Sequence, residues 1–164
     1  MSEPVAKAAP PFAIDSLTLQ ETRLLQMVLA DVLPPLASPL AHAVSSKAEV
    51  LFNSQFDDSL RVDVHTTITG TDKARRGTPK PRVQVQVAVL FHYTGLGELR
   101  RNNNLPLPLA WTAVSLAYST VRGMLQVKLA GTSFAHVLLP IVSPQQLWQP
   151  VTAPPAAAKE ADST

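Results

Sequence analysis

The chain has 164 residues, of which 46% are apolar and 16% are charged, a composition typical of one globular domain rather than of a disordered protein. The formal net charge of +2 is too small to predict a generally basic surface for nucleic acid. The lack of cysteine excludes disulfides and thiolate metal sites, and no run of about 18 apolar residues predicts a membrane span.

The two ends of the chain differ in composition from its middle. Residues 1–11 are small and proline-rich and are predicted to form a flexible arm. Residues 149–164, rich in proline and alanine, are predicted to form a disordered tail, which leaves residues 12–148 as one domain. The opening sequence has no apolar core of a secretory signal, which predicts a cytoplasmic protein.

The first apolar segment, residues 12–33, fits both a strand and a helix. Phe12 and Ile14 alternate as in a strand, but the apolar phase then slips. The later apolar residues recur at spacings that slightly favour a helix. They are Leu24, Leu25, Val28, Leu29 and Val32. Residues 33–46 then form a proline-rich connection that is unusually apolar, because loops are normally polar.

Three segments in the middle of the chain alternate between apolar and polar residues, as strands with one buried face do. The first has Val50, Phe52 and Phe56 on its apolar side, and residues 57–59 form a turn after it. The apolar side of the second comprises Leu60, Val62, Val64, Thr66 and Ile68. That of the third comprises Val83, Val85, Val87, Val89, Phe91 and Tyr93. Together they predict an antiparallel sheet with one face to be covered.

A basic loop separates the last two of these strands. Its cations surround a single acid, Asp72, and they are Lys73, Arg75, Arg76, Lys80 and Arg82. Such charge suits contact with RNA or with an acidic protein. A solvated hairpin loop is the favoured interpretation, because nucleic-acid surfaces normally combine charge with aromatic residues and this loop has none.

A long helix is predicted over residues 107–130. Its apolar residues recur at three- and four-residue spacings over about six turns. They include Trp111, Val114, Leu116, Tyr118, Val121, Leu125 and Leu129. Pro106 and Pro108 suit its start and Gly131 its end. Because the remaining surface is mostly small or apolar, we expect one side to pack on the sheet and another on a second copy of the chain.

The histidines do not match a known catalytic or metal-binding pattern. Asp63 and His65 share one side of a strand and His92 is expected across from them, but no third strong ligand follows at a known spacing. The glycine run Gly95-Leu96-Gly97 is too short for a dinucleotide fingerprint, and no suitable helix start follows it. The sequence therefore predicts no enzyme activity, no metal and no cofactor.

Two motifs near the C-terminal end resemble those of SecB-like chaperones. The first is an aromatic residue and an arginine in residues 118–123 of the long helix, and the second is a Leu-Pro doublet in residues 138–142. Residues 12–16 and 20–24 are similar to the first strand of that family, and the three alternating segments match its next three strands. The resemblance covers residues 12–148.

The resemblance implies an α+β fold, in which a four-stranded antiparallel sheet packs on one long helix and a short helical stub follows at residues 144–148. Residues 12–27 then form a long bulged strand, which replaces the helical interpretation. It also implies helix-mediated dimers that pair into tetramers. The residues expected at the interface between subunits are Ala113, Ala117, Tyr118 and Arg122.

The same resemblance implies an ATP-independent holding chaperone that binds unfolded polypeptides in an apolar groove. We expect this groove between the connection after the first strand, the long helix and the stub. Its expected residues are Val32, Leu33, Leu36, Leu40, Leu147 and Trp148. The alternative is that these apolar residues pack on their own sheet.

The chain departs from the family in several ways. Ala117 stands where the family has a proline before the aromatic residue, and no acidic sheet face or C-terminal partner-binding tail is evident. Delivery of clients to a secretion motor is one option, and a role dedicated to an antitoxin is another. A third, from a different class, is an RNA-associated adaptor that acts through residues 73–82.

Overall fold

The structure is a computed structural model, and it describes residues 13–31, 41–53, 55–70, 80–101 and 105–148. A short 3-10 helix (Ile14–Ser16) comes first in the described chain. The elements that follow are β1 (Leu17–Ala30), β2 (His42–Phe52), β3 (Ser59–Gly70), β4 (Arg82–Tyr93), α1 (Leu96–Arg101), α2 (Leu107–Lys128) and α3 (Pro144–Leu147).

The four strands form one antiparallel sheet in the order β1-β4-β3-β2, so β1 and β2 are its two edges. Ala30 at the end of β1 pairs with Arg82, which pairs in turn with Thr69. Thr69 pairs with Ala43 near the start of β2. Residues 31–41 therefore connect the two edges at one end of the sheet. The predicted α+β fold is confirmed, with a four-stranded antiparallel sheet, one long helix and a short C-terminal helical piece.

β1 is a strand and not a helix, and two irregularities explain why its sequence fits both. The pairing register with β4 shifts between Leu19 and Glu21, and again between Leu24 and Gln26. Each shift inserts one extra residue and moves the apolar positions to the other phase, so strict alternation is lost. A long bulged strand is therefore present, although it starts at Leu17 and the first residue of the predicted range lies outside the described residues.

β2 and the turn after it differ from the prediction in two places. β2 begins at His42, so the last part of the predicted connection over residues 33–46 belongs to the strand. Phe56 lies in the turn and is 65% exposed, whereas the alternation had placed it on the apolar side of the strand. The strand ends earlier because the Asn53 N–H donates to the carbonyl oxygen of Ser59 and closes the hairpin.

Both ends of α2 are set by residues that the sequence had indicated. Pro106 is the N-cap, and Gly131, shortly after the helix, has a φ of +81°, a conformation that glycine adopts without steric cost. The short helix α1 is a correction, since no helix start was expected after the strand. Gly95, with a φ of +88°, turns the chain out of β4, and the helix begins at the buried Leu96.

α2 packs mainly on β2, β3 and β4 and leaves much of the edge strand β1 uncovered. Leu19, Leu24 and Leu29 of β1 pair with buried residues of β4 and so lie on the helix side of the sheet. They are nevertheless 46%, 41% and 39% exposed. β1 therefore carries apolar surface that its own subunit does not bury.

Candidate functional site: an apolar segment beside the long helix

An irregular stretch between α2 and α3, the Leu-Pro segment (residues 137–141), has two buried and two open large apolar side chains. Val137 and Leu139 are buried, whereas Leu138 is 64% and Ile141 is 89% exposed. Residues 137–139 alternate as in an extended backbone, whereas Ile141 is open although it has the parity of the two buried residues. Two inward side chains thus attach the segment to the core, while two large apolar side chains face solvent.

A hydrogen bond from α2 holds this segment in place. The Tyr118 hydroxyl donates to the backbone carbonyl oxygen of Pro140 at 3.1 Å, and Tyr118 is only 4% exposed. A buried tyrosine normally needs a partner for its hydroxyl, and here the backbone of the Leu-Pro segment supplies it. The aromatic residue and the Leu-Pro doublet that the sequence singled out are therefore in direct contact.

α3 brings the end of the described chain against the edge strand β2. Leu147 is 2% exposed and belongs to the core, whereas Trp148 is half-buried and forms an isolated parallel bridge with Ala48. Of the two residues expected on this wall of the groove, Leu147 packs inside its own subunit and Trp148 keeps accessible surface. Trp148 follows seven residues after Ile141, so the half-buried indole and the exposed side chains of Leu138 and Ile141 belong to one short stretch of sequence.

The connection from β1 to β2 starts on the helix side of the sheet. The two carboxylate oxygens of Asp31 accept the backbone N–H of Ser133, at 3.1 and 3.3 Å. Because Ser133 closely precedes the Leu-Pro segment, the start of the connection is fixed near that segment. The four other residues expected in the groove lie outside the described residues, and they are Val32, Leu33, Leu36 and Leu40.

The residues expected at the subunit interface lie mostly inside their own subunit. Ala113 and Ala117 are fully buried, and the hydroxyl of Tyr118 is bonded to the Leu-Pro segment. Arg122 is half-buried. A different side of α2 faces solvent, and it carries Ser115, Leu116, Ser119, Gly123 and Val127. When the side chains on nearly every side of a helix are small or apolar, the periodicity of the sequence does not show which side packs on the sheet.

The face of the sheet opposite α2 carries ion pairs rather than charge of one sign. Arg61 donates two hydrogen bonds to the buried carboxylate of Asp63, at 2.6 and 2.8 Å, and this bonding raises the pKa of Arg61. Two further pairs join Lys47 to Glu49 and Arg23 to Glu21. Because each of these acids lies beside a base, the described part of this face offers no acidic surface to a cationic partner.

The histidines of the sheet lie apart. His65 pairs with Gln86 and His92 pairs with Ser59, and the two β4 positions are separated by about 20 Å along the strand. The expectation that His92 lies across from Asp63 and His65 was therefore wrong, because the strand register was not available from the sequence. Within the described ranges, no group of three or more His, Cys, Asp or Glu is placed to hold a metal ion.

Two expectations concern partners other than polypeptide. Most of the basic loop, including Lys73, Arg75 and Arg76, lies outside the described residues, so a nucleic-acid contact there stays a prediction. Lys80 and Arg82 are described and exposed. No helix in the described part of the chain is long and apolar enough to cross a membrane.

Sequence reasoning did not select Leu138 and Ile141 as site residues. The doublet was used as a motif only, and residues 137–141 are all apolar or proline, so the sequence carries no signal that separates the open side chains from the buried ones. An exposed apolar residue indicates a binding surface only once the elements that could cover it have been placed. Here those elements are α2 and α3.

Comparison with known proteins concerns the fold. No protein-family model matches the chain, and no curated protein matches it. Among solved structures, the chain is similar to the Mycobacterium tuberculosis Rv1957 SecB-like chaperone in complex with a ChAD peptide from the Rv1956 HigA1 antitoxin. The identity is 17% and the TM-score 0.53, over 79% of this chain and 92% of that chain. The fold of this chain is therefore SecB-like.

Proposed function

We propose that the protein is an ATP-independent holding chaperone that binds non-native polypeptide through apolar side chains left open beside α2. The Leu-Pro segment carries the proposal, because Leu138 and Ile141 are 64% and 89% exposed while the Tyr118 bond to Pro140 holds their backbone. Burial of such side chains by a partner makes the free energy of binding more favourable. An exposed apolar surface that is held in place is typical of a binding site. The SecB-like fold supports polypeptide as that partner.

The proposed groove lies between the Leu-Pro segment with Trp148 and the connection that starts at Asp31. Its opposite wall is formed, in this proposal, by Val32, Leu33, Leu36 and Leu40. Leu147 is buried in the core, and Trp148 packs partly against that core. Each leucine covered by a client contributes roughly 1.5–3 kcal/mol, before the cost of ordering the client segment is subtracted. A few such contacts correspond to micromolar binding of one segment.

The proposal includes self-association, as a dimer or a pair of dimers. Leu116 and Val127 on the solvent side of α2 are 44% and 76% exposed, and β1 adds the open leucines of its helix side. A second copy of the chain is the partner with the same set of apolar faces, and closed symmetric assembly is the commonest outcome. Several grooves on one assembly hold a long client more tightly through effective concentration.

A role dedicated to one antitoxin is the second candidate. It is favoured by the similar chaperone Rv1957, which was solved with a peptide from the HigA1 antitoxin. A dedicated chaperone discriminates among clients, whereas a general one uses adaptable apolar contacts. Delivery to a secretion motor has less support, because the acids described on the open sheet face lie beside bases.

Aggregation of chemically denatured clients, followed by light scattering without nucleotide, tests the proposal. We expect suppression of aggregation at near-stoichiometric ratios of chaperone to client. Protection of several unrelated clients indicates a general role, and protection of an antitoxin alone indicates a dedicated one. If the folded protein protects none of them, the proposed function is wrong.

A further inference from the structure

The layer formed by α2, the Leu-Pro segment and α3 contains bases but no acid. Residues 105–148 include no Asp or Glu, and they carry Arg122, Lys128 and His136. The acids of the described chain all come earlier, in the 3-10 helix, along the strands and at their ends, in the β2–β3 turn and in α1. The apolar side chains that are open in this layer therefore have only positive charge near them in the sequence.

Arg122 lies on the stretch of α2 along which the chain runs back. The chain leaves α2 after Lys128, and Pro140 is bonded to Tyr118, about 15 Å back along the helix axis. Arg122 follows Tyr118 by four residues, so the two share one side of the helix. Long side chains in helices lean towards the N-terminus, so that of Arg122 leans towards the turn that holds the Leu-Pro segment.

Arg122 is half-buried, and it has no acid partner among the described residues. The ion pairs found in that part of the chain involve other bases, which are Arg23, Lys47, Arg61 and Arg100. Lys128 lies in the last turn of α2, where a positive charge interacts favourably with the helix dipole, but Arg122 lies too far from that end. A half-buried guanidinium of this kind favours an anion supplied by a partner.

A second copy of the chain is a poor source of that anion. If two copies associate through their α2 helices, residues 105–148 of one copy face the same residues of the other, and neither set contains an acid. Charge complementarity instead favours a polypeptide that brings acidic residues together with apolar ones.

We propose that the groove prefers client segments in which a carboxylate lies among apolar side chains, and that Arg122 binds this carboxylate. The apolar side chains of the client cover Leu138 and Ile141, while its carboxylate accepts hydrogen bonds from the guanidinium. The planar guanidinium offers two parallel N–H donors to a carboxylate, which makes the contact directional. This inference rests on the proposed chaperone function and names the class of client.

Three fluorescein-labelled, unstructured peptides test the inference with the full-length protein. They share the same leucines and differ only in their spacer residues, which are glutamate, serine or lysine. Fluorescence anisotropy measures the three dissociation constants. We expect the glutamate peptide to bind about fivefold or more tightly than the lysine peptide, with the serine peptide between them. The difference should shrink as the salt concentration is raised.

Substitutions of Arg122 assign the preference to this residue. Arg122→Gln should remove the preference for glutamate over lysine, and Arg122→Lys should retain it because the charge remains. Arg101→Gln is the matched control, since Arg101 is exposed in α1 and donates to the carbonyl oxygen of Gly97 in its own helix. Circular dichroism and light scattering verify the fold and the mass of each variant.

Three results would overturn the inference. One is equal binding of the three peptides, which leaves a chaperone without a charge preference. Another is a preference that survives Arg122→Gln. The third is a lower mass of the assembly in that variant, which would assign Arg122 to an interface between subunits. If none of the peptides binds, the proposed function itself is wrong, and this inference with it.

Discussion

The carboxylate of Asp31 accepts the backbone N–H of Ser133 at 3.1 Å, and this bond joins the end of β1 to the loop that follows α2. β2, β3, β4 and α2 lie between these two residues in the sequence, so the contact joins two distant parts of the chain. It also places the start of the β1–β2 connection near the Leu-Pro segment.

Tyr118→Phe tests how the Leu-Pro segment is held. The substitution keeps the ring in the core but removes the hydroxyl that donates to Pro140. We expect the free energy of unfolding to fall by about 1 kcal/mol and amide exchange to accelerate locally in residues 137–143. Denaturant titration and hydrogen exchange measure the two effects. Unchanged exchange in that segment would show that packing alone holds it.

Charge on the two sides of α2 should have opposite consequences. From the sequence, Ala117→Glu is expected to split the oligomer, but Ala117 is fully buried under its own sheet. The substitution should therefore unfold the subunit, at a cost of more than about 3 kcal/mol. Leu116→Glu lies on the solvent side and should keep the fold while lowering the mass of the assembly.

Circular dichroism and light scattering separate these two effects. A folded Ala117→Glu variant would contradict the observed burial. A Leu116→Glu variant with the mass of the unsubstituted assembly would contradict a helix-mediated interface.

Arg61→Ala should destabilise the sheet more than Lys47→Ala. Asp63 is 6% exposed and is held by Arg61 through two hydrogen bonds, so loss of the arginine leaves a buried carboxylate unpaired, at about 1–3 kcal/mol. The Lys47–Glu49 pair is solvent-exposed and its loss should cost less than about 1 kcal/mol. Thermal denaturation of both variants measures the difference, and equal melting temperatures would refute it.

The connection after β1 is tested by Leu33→Asp combined with Leu36→Asp. We expect the fold and the assembly to persist and the suppression of client aggregation to be lost, because the charges remove one apolar wall of the groove. Ala37→Asp combined with Ser38→Asp adds the same charge to the same connection and removes no leucine. Should the leucine variant protect clients as well as this control, the groove lies elsewhere.

The sequence predicts those elements whose apolar residues repeat regularly. It fails where one apolar pattern is compatible with both a strand and a helix. β3 and β4 alternate without interruption, and their apolar residues are buried as expected. In β1 the bulges near Gln20 and Leu25 disguise the strand as a helix. α2 was predicted from its apolar repeats, but the side that meets the sheet was not, because nearly every side is small or apolar.

The candidate site was less accessible to sequence reasoning than the fold. Strand register decides whether His65 and His92 meet, and no local pattern reveals it. Leu147 and Trp148 look alike as apolar candidates in the sequence, yet Leu147 is in the core and Trp148 is half-buried. Leu138 and Ile141 became candidates only once their neighbours were placed.

The central claim is that the open side chains of the Leu-Pro segment receive non-native polypeptide. Its most direct test is the suppression of client aggregation, without nucleotide, by Leu138→Asp combined with Ile141→Asp. Phe56→Asp is the control, because Phe56 is 65% exposed but lies in the β2–β3 turn. We predict that the double variant stays folded and binds clients about tenfold or more weakly, whereas the control matches the unsubstituted protein. Full protection by the folded double variant would contradict the account.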